Sequence, residues 1–165
     1  SSLEWLTNDE LVVYRSCGTE CITANLVNTK TTERQAINLG VGYSWSPDGR
    51  YVLAHHYAPN YGISVASREN HFENSLLQIR RIYPPTGSAL ADQIKAIWAS
   101  DSTKLALVIR KESEERLELL VFDLVNDFQL LNQQDLVETS VSRLAWSGTD
   151  TVILTENGID RNISL

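Results

Sequence analysis

Three histidines, at 55, 56 and 71, and two cysteines, at 17 and 21, are the side chains best suited to metal or redox chemistry in these 165 residues. His55 and His56 close the apolar run "YVLAHH". Neighbours on a strand point to opposite faces, so the two do not readily share an ion. No carboxylate stands at a recognised ligand spacing from them, and no metal site or cofactor is expected. Cys17 and Cys21 enclose Gly18, Thr19 and Glu20. Across such a tip two Cα atoms come near the ~5.5 Å that a disulfide prefers. The pair reads either as a staple, implying an oxidising compartment, or as two reduced thiols. A zinc site would need two more ligands.

Other candidates are weaker. "SPDG" at 46–49 offers one carboxylate in a tight turn, far short of a calcium loop. "NIS" at 162–164 fits a glycosylation acceptor. There is no Gly-x-Ser-x-Gly elbow, phosphate-cradling glycine loop or recognisable carboxylate pair, so catalysis by this chain is not expected. With 21 acidic against 14 basic residues and a net charge of −7, nucleic acid is not an expected partner. Anionic lipid is equally disfavoured, and no apolar run is long enough to insert in a membrane. The absence of any methionine suggests a processed form or a piece of a longer protein.

The remaining candidate is a contact surface. After "YVLAHH" comes a stretch rich in Tyr, His and Asn, holding Tyr57, Asn60, Tyr61, Arg68, His71 and Phe72. Read as one long loop between a second and a third strand, it would present aromatic and arginine side chains of the kind favoured at interfaces. On that reading, deletion of residues 58–74 removes partner binding and leaves the β-structure intact.

What positions these residues is a repeat. The four tryptophans, at 5, 45, 98 and 146, open "WLTNDELVVY", "WSPDGRYVLAHH", "WASDSTKLALVI" and "WSGTDTVILT". Each unit is a tryptophan, small turn residues and an apolar β-rich run. A second echo pairs "NLVNTK" at 25–30 with "DLVNDF" at 123–128. Second strands are expected at Leu11–Tyr14, Tyr51–Ala54, Leu105–Ile109 and Val152–Leu154. Third strands are expected at Ile22–Val27, Leu76–Tyr83 and Leu117–Leu124, and fourth strands at Arg34–Leu39 and between Gln129 and Leu136. "KESEERLELL" has helical propensity, but between two strand signals it reads as a hairpin tip.

Four-stranded antiparallel units of this length are the blades of a β-propeller. The expected fold is therefore all-β, with blades at residues 3–42, 43–95 and 96–142 and a partial one at 143–165. Three and a half blades do not close a ring of about four to eight. The rest would come from other blades of a larger chain, or from a second copy in a homodimer.

"SWSPDGRYVLA" resembles the repeat of TolB-like propellers, relatives of the WD-repeat class. The resemblance is close in one unit; the other three keep the tryptophan and the apolar strand. It implies protein-complex scaffolding, often outside the cytoplasm in bacteria. The leading expectation is a non-catalytic module binding a protein or peptide. Prolyl-oligopeptidase relatives carry such repeats as a gating domain ahead of a hydrolase domain, which gives the alternative. A carbohydrate-binding propeller using exposed aromatics is a third.

Overall fold

The computed structural model describes residues 2–18, 21–37, 41–56, 62–72, 75–80, 95–110, 117–136 and 141–165. Its strands are β1 (Ser2–Trp5), β2 (Glu10–Gly18), β3 (Cys21–Asn28), β4 (Arg34–Ile37), β5 (Val41–Trp45), β6 (Tyr51–His56), β7 (Gly62–Ser67) and β8 (Ser75–Arg80). They continue with β9 (Lys95–Trp98), β10 (Lys104–Arg110), β11 (Leu117–Asp123), β12 (Gln129–Asp135), β13 (Val141–Ser147), β14 (Thr151–Glu156) and β15 (Ile159–Ser164). They form four antiparallel meanders in chain order: β1–β4, β5–β8, β9–β12 and the three-stranded β13–β15. The chain divides into two compact units, residues 1–80 and 81–165, each holding two sheets.

The tryptophan frame is a register frame. Trp5, Trp45 and Trp98 end the first strand of their sheets, Trp146 stands one residue before the end of its own, and the four lie opposite Leu11, Val52, Leu105 and Val152 on the second. A backbone bond repeats with it. The residue leaving each third strand donates its N–H to the carbonyl that precedes the second strand: Thr29 to Asp9, Arg68 to Arg50, Leu124 to Thr103 and Leu165 to Asp150, at 2.8–2.9 Å. Unequal spacings in sequence are thus absorbed in connections, while the frame stays constant.

The turn after the tryptophan shows how chemistry imposes this. Asp48 Oδ1 accepts from Ser46 Oγ at 2.8 Å and from the Arg50 N–H at 3.0 Å, and Gly49 takes φ +70°. Glycine is needed twice over, because a Cβ there would lie 2.8 Å from Leu6 Cδ2 of the first sheet. In the third sheet Asp101 plays the same part, accepting from the N–H and Oγ1 of Thr103 at 3.0 and 2.7 Å, with Ser102 at φ 60°. These backbone and hydroxyl bonds hold the Asp101 carboxyl below its ordinary value, and the Lys104 ammonium does the same for Asp150.

A depressed folded-state value stabilises above the unfolded value and is lost as pH falls through the folded one. Stability is therefore expected to decline below about pH 4. Asp101→Asn should flatten that decline in urea melts taken between pH 5 and pH 3. An unchanged slope would remove Asp101 from the account.

In the first unit, one face of the first sheet packs against the tryptophan face of the second. Val12, Ala24, Leu26 and Ile37 meet Trp45, Val52, Ala54, Ala66 and Phe72. In the second unit, Ala106, Val108, Leu119 and Val121 meet Val152, Leu154 and Ile163, with Trp146 beside them. The alternation of every strand places these sets on one side.

Two expectations change. Leu76–Tyr83 is not a third strand: β7 takes that place and β8 is the fourth. The stretch after His56 is consequently two connections separated by a strand, and Ile63, Val65 and Ala66 of β7 are buried. Deleting 58–74 would remove that strand, so it cannot leave the β-structure intact. The echo is also offset by three residues, because Asn28, not Asn25, matches Asp123. Each ends a third strand, and its Oδ1 accepts the N–H groups two and three residues on. The hairpin tip at 111–116 lies outside the described residues, although Arg110 pairs with Leu117 across it.

Candidate functional site

Of the six residues expected on the loop surface, Tyr57, Asn60 and Tyr61 lie outside the described residues. The other three belong to the β7–β8 connection. Ser67 pairs with Tyr51, at the opposite end of the strand pair from His56 and Gly62. Arg68, His71 and Phe72 therefore sit with the turn at 46–50, which the Arg68 N–H touches through the Arg50 carbonyl. Arg68–Asn70 form a single 3-10 turn, and His71 and Phe72 follow at φ 52° and 57°.

Phe72 is not a surface residue. It is 2% exposed, and its ring meets Trp45 edge-on at 5.5 Å and 89°. Asp127 and Phe128 repeat the same pair of left-handed conformations, at φ 51° and 57°. "RENHF" and "LVNDF" are thus one recurring turn, and Asn-x-Phe was the signal that could have told this phenylalanine from a loop residue.

His71 lines a groove of about 730 Å³ between the outer strand β4 and this turn. Its lining includes Glu10, Asn28, Glu33, Gln35, Ala36 and His71. Arg68 Nη2 donates to Glu10 Oε2 at 2.8 Å, fixing that carboxylate across the two sheets. Gln35 Nε2 donates to the His71 carbonyl at 2.8 Å, tying the turn to β4. Thr31 Oγ1 donates to Glu33 Oε2 at 3.0 Å, at the start of β4. β4 is the last strand of its sheet, so its backbone edge borders the groove. Such an edge, with polar side chains on either hand, can hold an extended segment by main-chain hydrogen bonds. Sequence reasoning missed Glu10, Glu33 and Gln35, because nothing in their spacing announces a site assembled from two sheets.

Inside the same unit a polar wedge joins the sheets. Trp45 Nε1 donates to Tyr14 Oη at 2.8 Å, and Tyr14 Oη donates to Glu4 Oε2 at 2.5 Å. Tyr43 stacks on Tyr14 at 6.0 Å. Burial, then the Glu4 carboxylate, pushes the Tyr14 phenol above its ordinary value, so it stays a donor.

Cys17 is exposed near the end of β2 and carries no free thiol. Across the hairpin Ser16 pairs with Ile22 and Gly18 with Cys21, with a bulge at Cys17. The Cys21 side chain lies outside the described residues. His55 pairs with Ile63 on β7. Among the described residues no three metal-ligating side chains converge, and no helix is long and apolar enough to cross a membrane.

No family model and no curated protein matches the chain. Solved structures do. The chain is similar to the β-propeller domain of the Trilobed protease from Pyrococcus furiosus, at 17% identity and a TM-score of 0.60, over 93% of this chain and 52% of that one. It is similar to the acylaminoacyl peptidase of Pyrococcus horikoshii, at 15% identity and 0.58, over 93% of this chain and 30% of that one. Oligopeptidase B from Leishmania major follows at 14% and 0.50, over 91% and 22%. The chain spans about half or less of the length of each of these structures. At such identities the likeness shows the fold: four propeller-type antiparallel sheets, the last with three strands.

Proposed function

We propose that this part of a β-propeller is a non-catalytic interaction module that holds an extended protein or peptide segment in the groove beside β4. The observation that carries this reading is the edge of β4, which has no strand partner among the described residues, bordered by a fixed wall: Glu10 is set by Arg68, and the His71 turn is anchored by Gln35. Main-chain pairing supplies affinity, and the flanking carboxylates and amide supply selection. A peptide library displayed on phage and selected on the protein tests it. Enriched peptides should lose at least tenfold in affinity to a Glu33→Lys/Gln35→Ala variant. Equal binding, or no enrichment, would remove the groove as the site.

A second reading is favoured by the neighbours. Three of them are peptidases or a peptidase's propeller domain, which supports a propeller that accompanies a hydrolase domain in a larger protein. A Gly-x-Ser-x-Gly signature in the remaining polypeptide would separate this from free-standing scaffolding. The Trp-Ser-Pro-Asp-Gly unit at 45–49 supports a TolB-like lineage and, with it, an extracytoplasmic location.

That location accords with a Cys17–Cys21 bridge. Thiol counting under denaturing, non-reducing conditions is expected to find no reactive thiol. Two reactive thiols would sink both the bridge and the oxidising compartment.

A further inference from the structure

Hydrogen bonding between β3 and β4 decides what the outer edge of β4 presents. The Asn28 N–H donates to the Glu33 carbonyl at 3.0 Å, while Val27 stands opposite Arg34 and Leu26 opposite Gln35. Hydrogen-bonded and non-hydrogen-bonded positions alternate along an antiparallel pair. Glu33 and Gln35 therefore turn their backbone groups towards β3, and Arg34 and Ala36 turn their N–H and C=O groups outward. Among the described residues no strand takes them. The edge carries no proline and no bulge, two of the devices that blunt a strand edge.

Side chains alternate with the backbone. Gln35 lies on the side of Leu26, facing the second sheet, where it reaches the His71 carbonyl. Glu33 shares that side, in a row with Glu10 and Asn28 across the sheet. Arg34 lies on the opposite side with Val27. Glu33 and Arg34 are both exposed, and neither makes an ion pair among the described residues. Glu33 Oε2 accepts from the Thr31 hydroxyl, which leaves its charge unbalanced. Two neighbours of opposite charge thus stand on opposite faces of one edge strand, each without a counter-charge.

We propose, resting on the peptide-binding reading above, that the edge of β4 takes an antiparallel strand in which an acidic residue is followed directly by a basic one. The acidic residue exchanges both backbone hydrogen bonds with Arg34, and its carboxylate lies beside the guanidinium on that face. The next residue of an antiparallel strand stands opposite Glu33. Its side chain enters the groove, where a lysine or arginine meets the Glu33 carboxylate. Opposite charges directly across a strand pair attract, and like charges there repel. A parallel strand would need the reverse order, basic before acidic, and that pairing is slightly less stable per residue. The order of the two charges therefore reports strand direction.

The probe is the phage-displayed library of linear peptides selected on the protein. Enriched peptides should carry Asp or Glu followed directly by Lys or Arg. Enrichment without that pair would overturn this inference and leave the groove as a peptide site; no enrichment would remove both. In the tightest enriched peptide, exchanging the two charged residues should weaken binding about tenfold, because two attractive pairs become two repulsive ones. Equal affinity would overturn the charge register, and tighter binding would mean a parallel strand and overturn the antiparallel one. Glu33→Arg/Arg34→Glu should invert the preference, binding the exchanged peptide more tightly than the original. A variant that still prefers the original order would show that these two side chains do not read it.

Discussion

Replacing Trp45 by alanine is expected to cost about 3–5 kcal/mol, the usual loss when a large buried aromatic is truncated. The urea midpoint should fall by roughly 1.5–2.5 M, taking about 2 kcal/mol per molar as the slope. Three losses combine. The indole leaves a cavity among Val12, Val52 and Ala66, Phe72 loses its edge-on partner, and Tyr14 Oη loses the N–H it accepts. Trp45→Phe should recover most of the packing but not the hydrogen bond, leaving a deficit of about 1–2 kcal/mol. The informative contrast is Trp5→Ala in residues 1–165, at the same repeat position but 64% exposed, which should change stability by less than about 1 kcal/mol. Equal losses from both would mean that burial does not separate the two positions.

That contrast marks what the sequence could and could not disclose. The frame was legible because it is local. Tryptophan stands at or next to the end of a strand, a small-residue turn follows, and an apolar strand pairs back within six or seven residues. The fourth strands expected at Arg34–Leu39 and between Gln129 and Leu136 overlap β4 and β12, and the turns at Asn28 and Asp123 that precede them are the local signal the offset echo only half caught.

The second sheet misled for a physical reason. β7, "GISVAS", is small and half polar, so it looks like loop, whereas Ser64 and Ser67 are buried within it. Missing that strand moved Leu76 into the wrong strand and fused two connections into one surface. The groove was illegible for a different reason. Glu10 and Arg68 are 58 residues apart, and only the stacking of one sheet on the next brings them to 2.8 Å.

The fused loop is where residue type alone is least reliable, and the adjacent pair His71 and Phe72 makes the point measurable. Both have positive φ in one turn, and both are aromatic. Phe72→Ala is expected to cost about 3–4 kcal/mol, because it empties a site 2% exposed and removes the ring against Trp45. His71→Ala is expected to stay within about 1 kcal/mol: its side chain is exposed, and the bond it accepts from Gln35 Nε2 is to its backbone carbonyl, which survives the change. Phe72→Leu should fall between them, retaining apolar burial while losing the edge-on ring contact, worth about 1 kcal/mol. Urea melts of the three variants decide it. A contact residue would show the reverse, with Phe72→Ala silent in stability and loud in binding. If the midpoint of Phe72→Ala matched the parent, the recurring Asn-x-Phe turn would be a coincidence of sequence and the packing of the first two sheets would have to rest elsewhere.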